Sequence, residues 1–153
     1  MRSPTERSLK YARERDYSPG ILERWTYIPV GGGAWKPHKK HDWFGFDIGC
    51  AHPTKRPLFI QTTSSSNHAA RVTKLLLIPE VKMLAGWADL EVNSWGPRKK
   101  GGKEYTVGRI ERLVLDAFGE LVVERQPDVW ATRPKPKRRK PAERSTLLRD
   151  LYG

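Results

Sequence analysis

The composition of the chain changes abruptly after Trp130, and that change decides how much of it can form a core. Residues 132–141, Thr-Arg-Pro-Lys-Pro-Lys-Arg-Arg-Lys-Pro, are too charged and too proline-rich to bury apolar surface. The expectation is one folded domain over residues 1–130 and a basic, disordered tail over 131–153. The tail ends in a short amphipathic segment carrying Leu147, Leu148 and Leu151, too short to be helical unless it docks. A body of that size accommodates one core and not two.

Within the body, caps, prolines and glycines punctuate short elements. Ser3-Pro4-Thr5-Glu6 reads as a helix start, with Ser3 as cap and Glu6 at the capping-box position. That helix should run to about Asp16 and be broken by Ser18-Pro19-Gly20. Residues 21–28 are β-branched and aromatic and read as a strand. Residues 29–40, with three successive glycines, read as a flexible basic loop. No Gly-Lys-Ser/Thr follows those glycines, so they do not form a phosphate-binding loop. Strands over 46–51 and 58–63 fit a hairpin, followed by a helix over 68–77 and a helical piece over 79–84. Further strands are expected over 90–95 and 104–107, separated by a basic turn, with a last hairpin over 109–115 and 121–125. This order implies an α/β or α+β fold, a mixed central sheet flanked by helices.

Charge bounds the partner. The chain holds 29 Lys+Arg against 17 Asp+Glu, a formal net charge of +12, which surrounds a small body with a strong positive field. A nucleic acid is the expected partner, and charge alone does not separate DNA from RNA. A membrane surface is not, because no long basic amphipathic helix is visible. The single cysteine, Cys50, suits a reducing compartment. No signal peptide or spanning run is evident, so the expected location is cytoplasmic, in the cytosol or nucleoid. Phosphates could be tracked by Lys36, Lys39, Lys40, Lys55 and Arg56, by Arg71, by Arg98, Lys99 and Lys100, and by Lys137, Arg138, Arg139 and Lys140 of the tail. Six tryptophans are present. Trp25, Trp43, Trp87 and Trp95 are expected partly in the core, whereas Trp35 either stacks on an exposed base or folds back on the body.

One group of residues could carry chemistry. Side chains two apart on a strand share a face, so Asp47 and Gln61 can sit side by side if their strands pair, with Glu6 approaching from the first helix. Oxygen donors of that kind suit Mg²⁺ or Mn²⁺. The plainer alternatives are that Glu6 is only a capping residue and Asp42 a surface turn residue after His41. Asp47, between Phe46 and Ile48, is costly to bury without a partner. His38, His41, Cys50 and His52 lack the paired spacing of a zinc site. Ser64-Ser65-Ser66 lacks a nucleophile-elbow pattern, and Asn67-His68 is an isolated fragment of a histidine nuclease motif.

Glu6 in Thr5-Glu6-Arg7, Asp47 in Asp42-Trp43-Phe44-Gly45-Phe46-Asp47-Ile48, and Gln61 in Phe59-Ile60-Gln61-Thr62-Thr63-Ser64 together resemble the PD-(D/E)XK nuclease superfamily. Within it they resemble the small Holliday-junction-resolvase-like and phage-encoded nucleases. The resemblance covers roughly the first half of the chain. It implies a restriction-endonuclease-like fold over 1–130 and a metal-dependent endodeoxyribonuclease acting on branched or single-stranded DNA. It also implies a homodimer, with Glu6, Asp47 and Gln61 as metal ligands and Asp42 as the other possible working aspartate. Gln61 stands where that family has an acid, and Thr63 where it has a lysine. Either Arg71 or Lys74 replaces that lysine, or the chain is a non-catalytic DNA- or RNA-binding protein that keeps the nuclease fold.

Overall fold

A computed structural model describes residues 2–131. The expected tail, with Lys137, Arg138, Arg139 and Lys140 and its leucines, lies outside the described residues. Helix α1, Pro4–Glu14, starts as its sequence dictates: Glu6 N–H donates to Ser3 Oγ (3.2 Å), and Ser3 N–H donates back to Glu6 Oε2 (2.8 Å). It ends two residues short of Asp16, which turns the chain at a φ of 65°.

The central sheet is mixed and has seven strands: β1 (Ser18–Ile21), β4 (Ile48–Ala51), β5 (Leu58–Ser64), β6 (Asp89–Lys100), β7 (Lys103–Leu115) and β8 (Leu121–Arg125) in spatial order, with β9 (Val129–Trp130) also on β7. Only β5 and β6 run parallel. Their connection carries α2 (His68–Leu76) and α3 (Pro79–Ala85), the crossover that parallel neighbours require. The α+β class with a mixed sheet is therefore as expected. Between β1 and β4 the chain leaves the sheet as a separate two-stranded ribbon, β2 (Arg24–Gly31) and β3 (Ala34–His41).

Apolar side chains cover both faces of the sheet. Ala12, Tyr17, Ile48, Cys50, Leu58 and Ile60 pack under α1, while Phe46, Val72, Leu75, Val81, Leu84, Leu90, Val92 and Leu113 pack under α2 and α3. Trp95 is buried as well. A side chain at Gly108 would meet its ring at 2.6 Å, and its indole N–H donates to Ser8 Oγ (2.9 Å).

Three expectations are corrected. Ser18-Pro19-Gly20 does not break the chain but forms β1, an edge strand, where a proline leaves only the open side without a donor. Residues 29–40 are not a loop: Gly32 and Gly33, at φ of 60° and 75°, make the two-residue turn of the β2–β3 ribbon, a turn that needs positive φ at both positions. Residues 97–100 continue β6, and the turn narrows to Gly101 and Gly102. Pro97 is tolerated because β5 ends opposite Trp95, leaving β6 one partner there. Trp25 and Trp87, expected partly in the core, are 46% and 48% exposed. No helix among the described residues is long and apolar enough to cross a membrane.

Candidate functional site

Asp47 is delivered by a tight turn. Trp43 and Phe46 pair across Phe44 and Gly45, whose φ values are 52° and 89°. Asp42 Oδ1 accepts from Gly45 N–H (3.1 Å), and a Cβ on Gly45 would sit 2.6 Å from Leu75 Cδ2. Glycine is thus required there for both φ and space. The turn sends Phe46 into the core under α2 and leaves Asp47 beside β5, 1% exposed. Asp42 is an exposed turn residue and takes the plainer of its two expected roles.

Asp47 and Gln61 meet as expected. Gln61 Nε2 donates to Asp47 Oδ2 (2.5 Å) and to the Thr62 carbonyl (3.0 Å), and Thr62 N–H donates to the same Asp47 oxygen (3.1 Å). The other oxygen, Oδ1, has no aligned hydrogen bond and is neutralised by Lys40 Nζ at 3.2 Å. Lys40 also pairs with Glu23 (2.8 Å). The cluster sits at the root of the ribbon, where Leu22 N–H and Glu23 N–H donate to the Asp47 carbonyl (2.7 and 3.3 Å). Burial is the main cause that pushes the Asp47 carboxyl up to about 6, against the opposing pull of Thr62 N–H and Lys40. Burial opposes the Lys40 charge, but Glu23 and Asp47 more than offset it, and its pKa is raised.

Lys40, not Lys74 or Arg71, is therefore the cation beside Asp47. Lys74 is exposed on α2, Arg71 is half-buried there, and Thr63 is buried within β5. Glu6 turns its carboxylate to Ser3, the capping role that its spacing also allowed. Lys40 was expected among phosphate contacts and Glu23 was not singled out; no local pattern in the sequence marks either, because a strand pairing brings them together.

The donor set does not fit a divalent ion. Two acceptors, Asp47 Oδ2 and the Thr62 carbonyl, fix the Gln61 amide nitrogen toward Asp47, so its oxygen is directed away. An ammonium stands at the remaining Asp47 oxygen. Among the described residues no group of three His, Cys, Asp or Glu side chains could hold a metal.

A second polar chain lies on the same side of the sheet. His68 Nδ1 is 2.7 Å from Ser94 Oγ, and its Nε2 is 3.0 Å from Glu111 Oε2, while Arg109 donates to the other Glu111 oxygen, Oε1. Burial lowers the His68 pKa against the pull of Glu111. Burial also works against the Glu111 charge, but Arg109 and His68 outweigh it and the Glu111 pKa falls. The atom order resembles a hydrolytic triad. Ser94 is wholly buried, so no substrate carbonyl can reach it, and the chain ties α2 to β6 and β7.

The other basic residues divide. Lys36, Lys39 and Lys99 are exposed. Arg56 donates to the Ala85 and Ala88 carbonyls (3.0 and 3.1 Å) at the end of α3, and Lys55 to the Arg15 carbonyl (3.3 Å), so both also hold the fold. Arg98 pairs with Asp128 (2.5 Å), and Lys100 lies over the Trp130 ring at 5.2 Å. Trp35 does not fold back: it is 65% exposed. No family model, curated protein or solved structure matches the chain.

Proposed function

We propose that this chain is a DNA-binding protein built on a nuclease-like fold. The observation that carries the reading is the Gln61–Asp47–Lys40 contact: the acid and amide that the nuclease resemblance places on neighbouring strands touch, and an ammonium stands beside them although Thr63 holds the usual lysine position. Support also comes from the order of elements, an early helix, an antiparallel run β1–β4–β5, and a helical crossover to parallel β6. The net charge of +12 supplies the attraction to phosphate. Because the donors do not fit a metal, binding without cleavage is the leading activity. Mg²⁺- or Mn²⁺-dependent cleavage is the second reading and rests on the nuclease resemblance alone. A homodimer belongs to the proposal through the resolvase resemblance alone.

The test is binding and cleavage of duplex, single-stranded and four-way DNA, with RNA alongside, in Mg²⁺, Mn²⁺ or chelator. The expected result is chelator-insensitive DNA binding that weakens steeply with salt. Affinity that stays flat from low to moderate salt removes the reading. Cleavage lost in both Asp47→Ala and Lys40→Met replaces binding alone with the second reading, and stronger retention of RNA replaces the DNA partner.

A further inference from the structure

Among the described residues the β2–β3 ribbon pairs with no other strand, and at eight residues per strand it reaches roughly 25 Å from its root. Paired residues of antiparallel strands project to the same side. The observed register sets Trp25 opposite Lys40, Tyr27 opposite Pro37 and Pro29 opposite Trp35, with the shift after Thr26 absorbed by the extra residue His38. Trp25, Tyr27, Pro29, Trp35 and Pro37 therefore share one face, with Lys40 beside Trp25 at its root. Arg24, Thr26, Ile28, Lys36, Lys39 and His41 share the other.

The first face is an aromatic platform left largely open among the described residues, with Lys40 at its root turned back to Glu23 and Asp47. Trp25, Tyr27 and Trp35 are 46%, 50% and 65% exposed. The second face is cationic, and residues 24–41 contain no Asp or Glu. A ribbon with π-surfaces on one side and unopposed cations on the other matches a polymer offering flat bases on a polyanionic backbone. A duplex keeps its bases stacked and leaves the aromatic face without a partner.

We infer that the aromatic face of the β2–β3 ribbon is a stacking platform for the unpaired bases of single-stranded DNA, with Arg24, Lys36 and Lys39 engaging its phosphates. The inference rests on the proposed DNA binding and specifies which part of the molecule reads which form of DNA. Trp35, nearest the tip, is the principal stacking residue, and Trp25 and Tyr27 extend the platform toward the root.

The deciding experiment compares oligothymidine with an abasic strand of equal length, measured by fluorescence anisotropy on the full chain. Both carry the same phosphates and only one carries bases. Oligothymidine should bind more tightly, and Trp35→Ala should weaken it about tenfold while leaving the abasic strand unchanged. Trp35→Phe, which keeps a ring, should restore most of the loss. Lys36→Ala with Lys39→Ala should weaken both strands alike. Unchanged thermal melts confirm that these exposed positions do not disturb the fold. Equal affinity for the two strands, or indifference to Trp35→Ala, overturns the stacking platform while leaving DNA binding intact. Failure of both strands to bind overturns the stacking platform and the proposed DNA binding together.

Discussion

Glu91 and Asp47 are both almost wholly buried, at 0% and 1% exposure, but their counter-ions come from different kinds of structure. Glu91 lies in register with Ile60 on the side of the sheet that α1 covers. Arg15, at the end of α1, grips it with two hydrogen bonds (2.7 and 3.0 Å), and Arg112 of β7 adds two longer ones (3.3 and 3.4 Å). Burial disfavours the Arg15 charge, but Glu91 more than offsets that, and the Arg15 pKa is raised. Among the described residues Asp47 has one ammonium, shared with Glu23 and carried by a ribbon that the sheet does not hold. A bidentate guanidinium on a packed helix is a fixture. A single flexible lysine on a projecting ribbon is exchangeable. A buried acid that structure alone required would be expected to look like Glu91, and Asp47 does not.

Removing the fixed pair should have the largest effect on stability. Glu91→Ala strands two guanidinium groups against the sheet and should cost about 3 kcal/mol, read from the urea midpoint at constant m-value. A loss below about 1 kcal/mol would mean that water already serves Arg15 and Arg112, and the contrast with Asp47 would disappear.

Removing the exchangeable cation should cost less and depend on pH. Lys40→Met leaves the Asp47 carboxylate buried without its counter-ion, so its pKa should climb further above about 6. The variant should lose about 2 kcal/mol at pH 7. Most of that loss should vanish near pH 5, where the carboxyl carries its proton and needs no cation. A loss of equal size at both values would make Lys40 a packing residue, and the ribbon root would then be as fixed as the Arg15 clasp.

Much of this arrangement is legible in the chain where the signal is local. The capping box at Ser3 and Glu6, the class of the fold and the adjacency of Asp47 and Gln61 all follow from spacing and strand period. Lys40 is different, since it reaches Asp47 only because the ribbon folds back at Gly32 and Gly33 and ends beside β4. Those glycines were also the missed clue, because a Gly-Gly pair between β-branched and aromatic residues fits a hairpin turn as well as a loose loop. His68 shows the same limit: alone at a helix start it reads as a cap, and only the pairing of β6 with β7 brings Ser94 and Glu111 to it.

The smallest effect, and the most direct measure of how Asp47 is held, is the pH dependence of Asp47→Asn. In the folded protein the carboxyl titrates at about 6, above its ordinary 3.8. Between those values the folded state binds more protons than the unfolded one, so stability falls as pH rises. The contribution of Asp47 is fully present below 3.8 and lost as pH climbs through about 6. His68, Glu111 and Asp128 have lowered pKa values and slope the opposite way, so the raw curve of the wild type mixes several groups. The difference between wild type and Asp47→Asn cancels them, because asparagine is close in shape and cannot ionise. From pH 5 to pH 7 that difference should move in favour of the variant by on the order of 1 kcal/mol. A difference that stays flat would mean that Asp47 is ionised throughout and fully compensated, and the idea of an exchangeable charge at the ribbon root would fall.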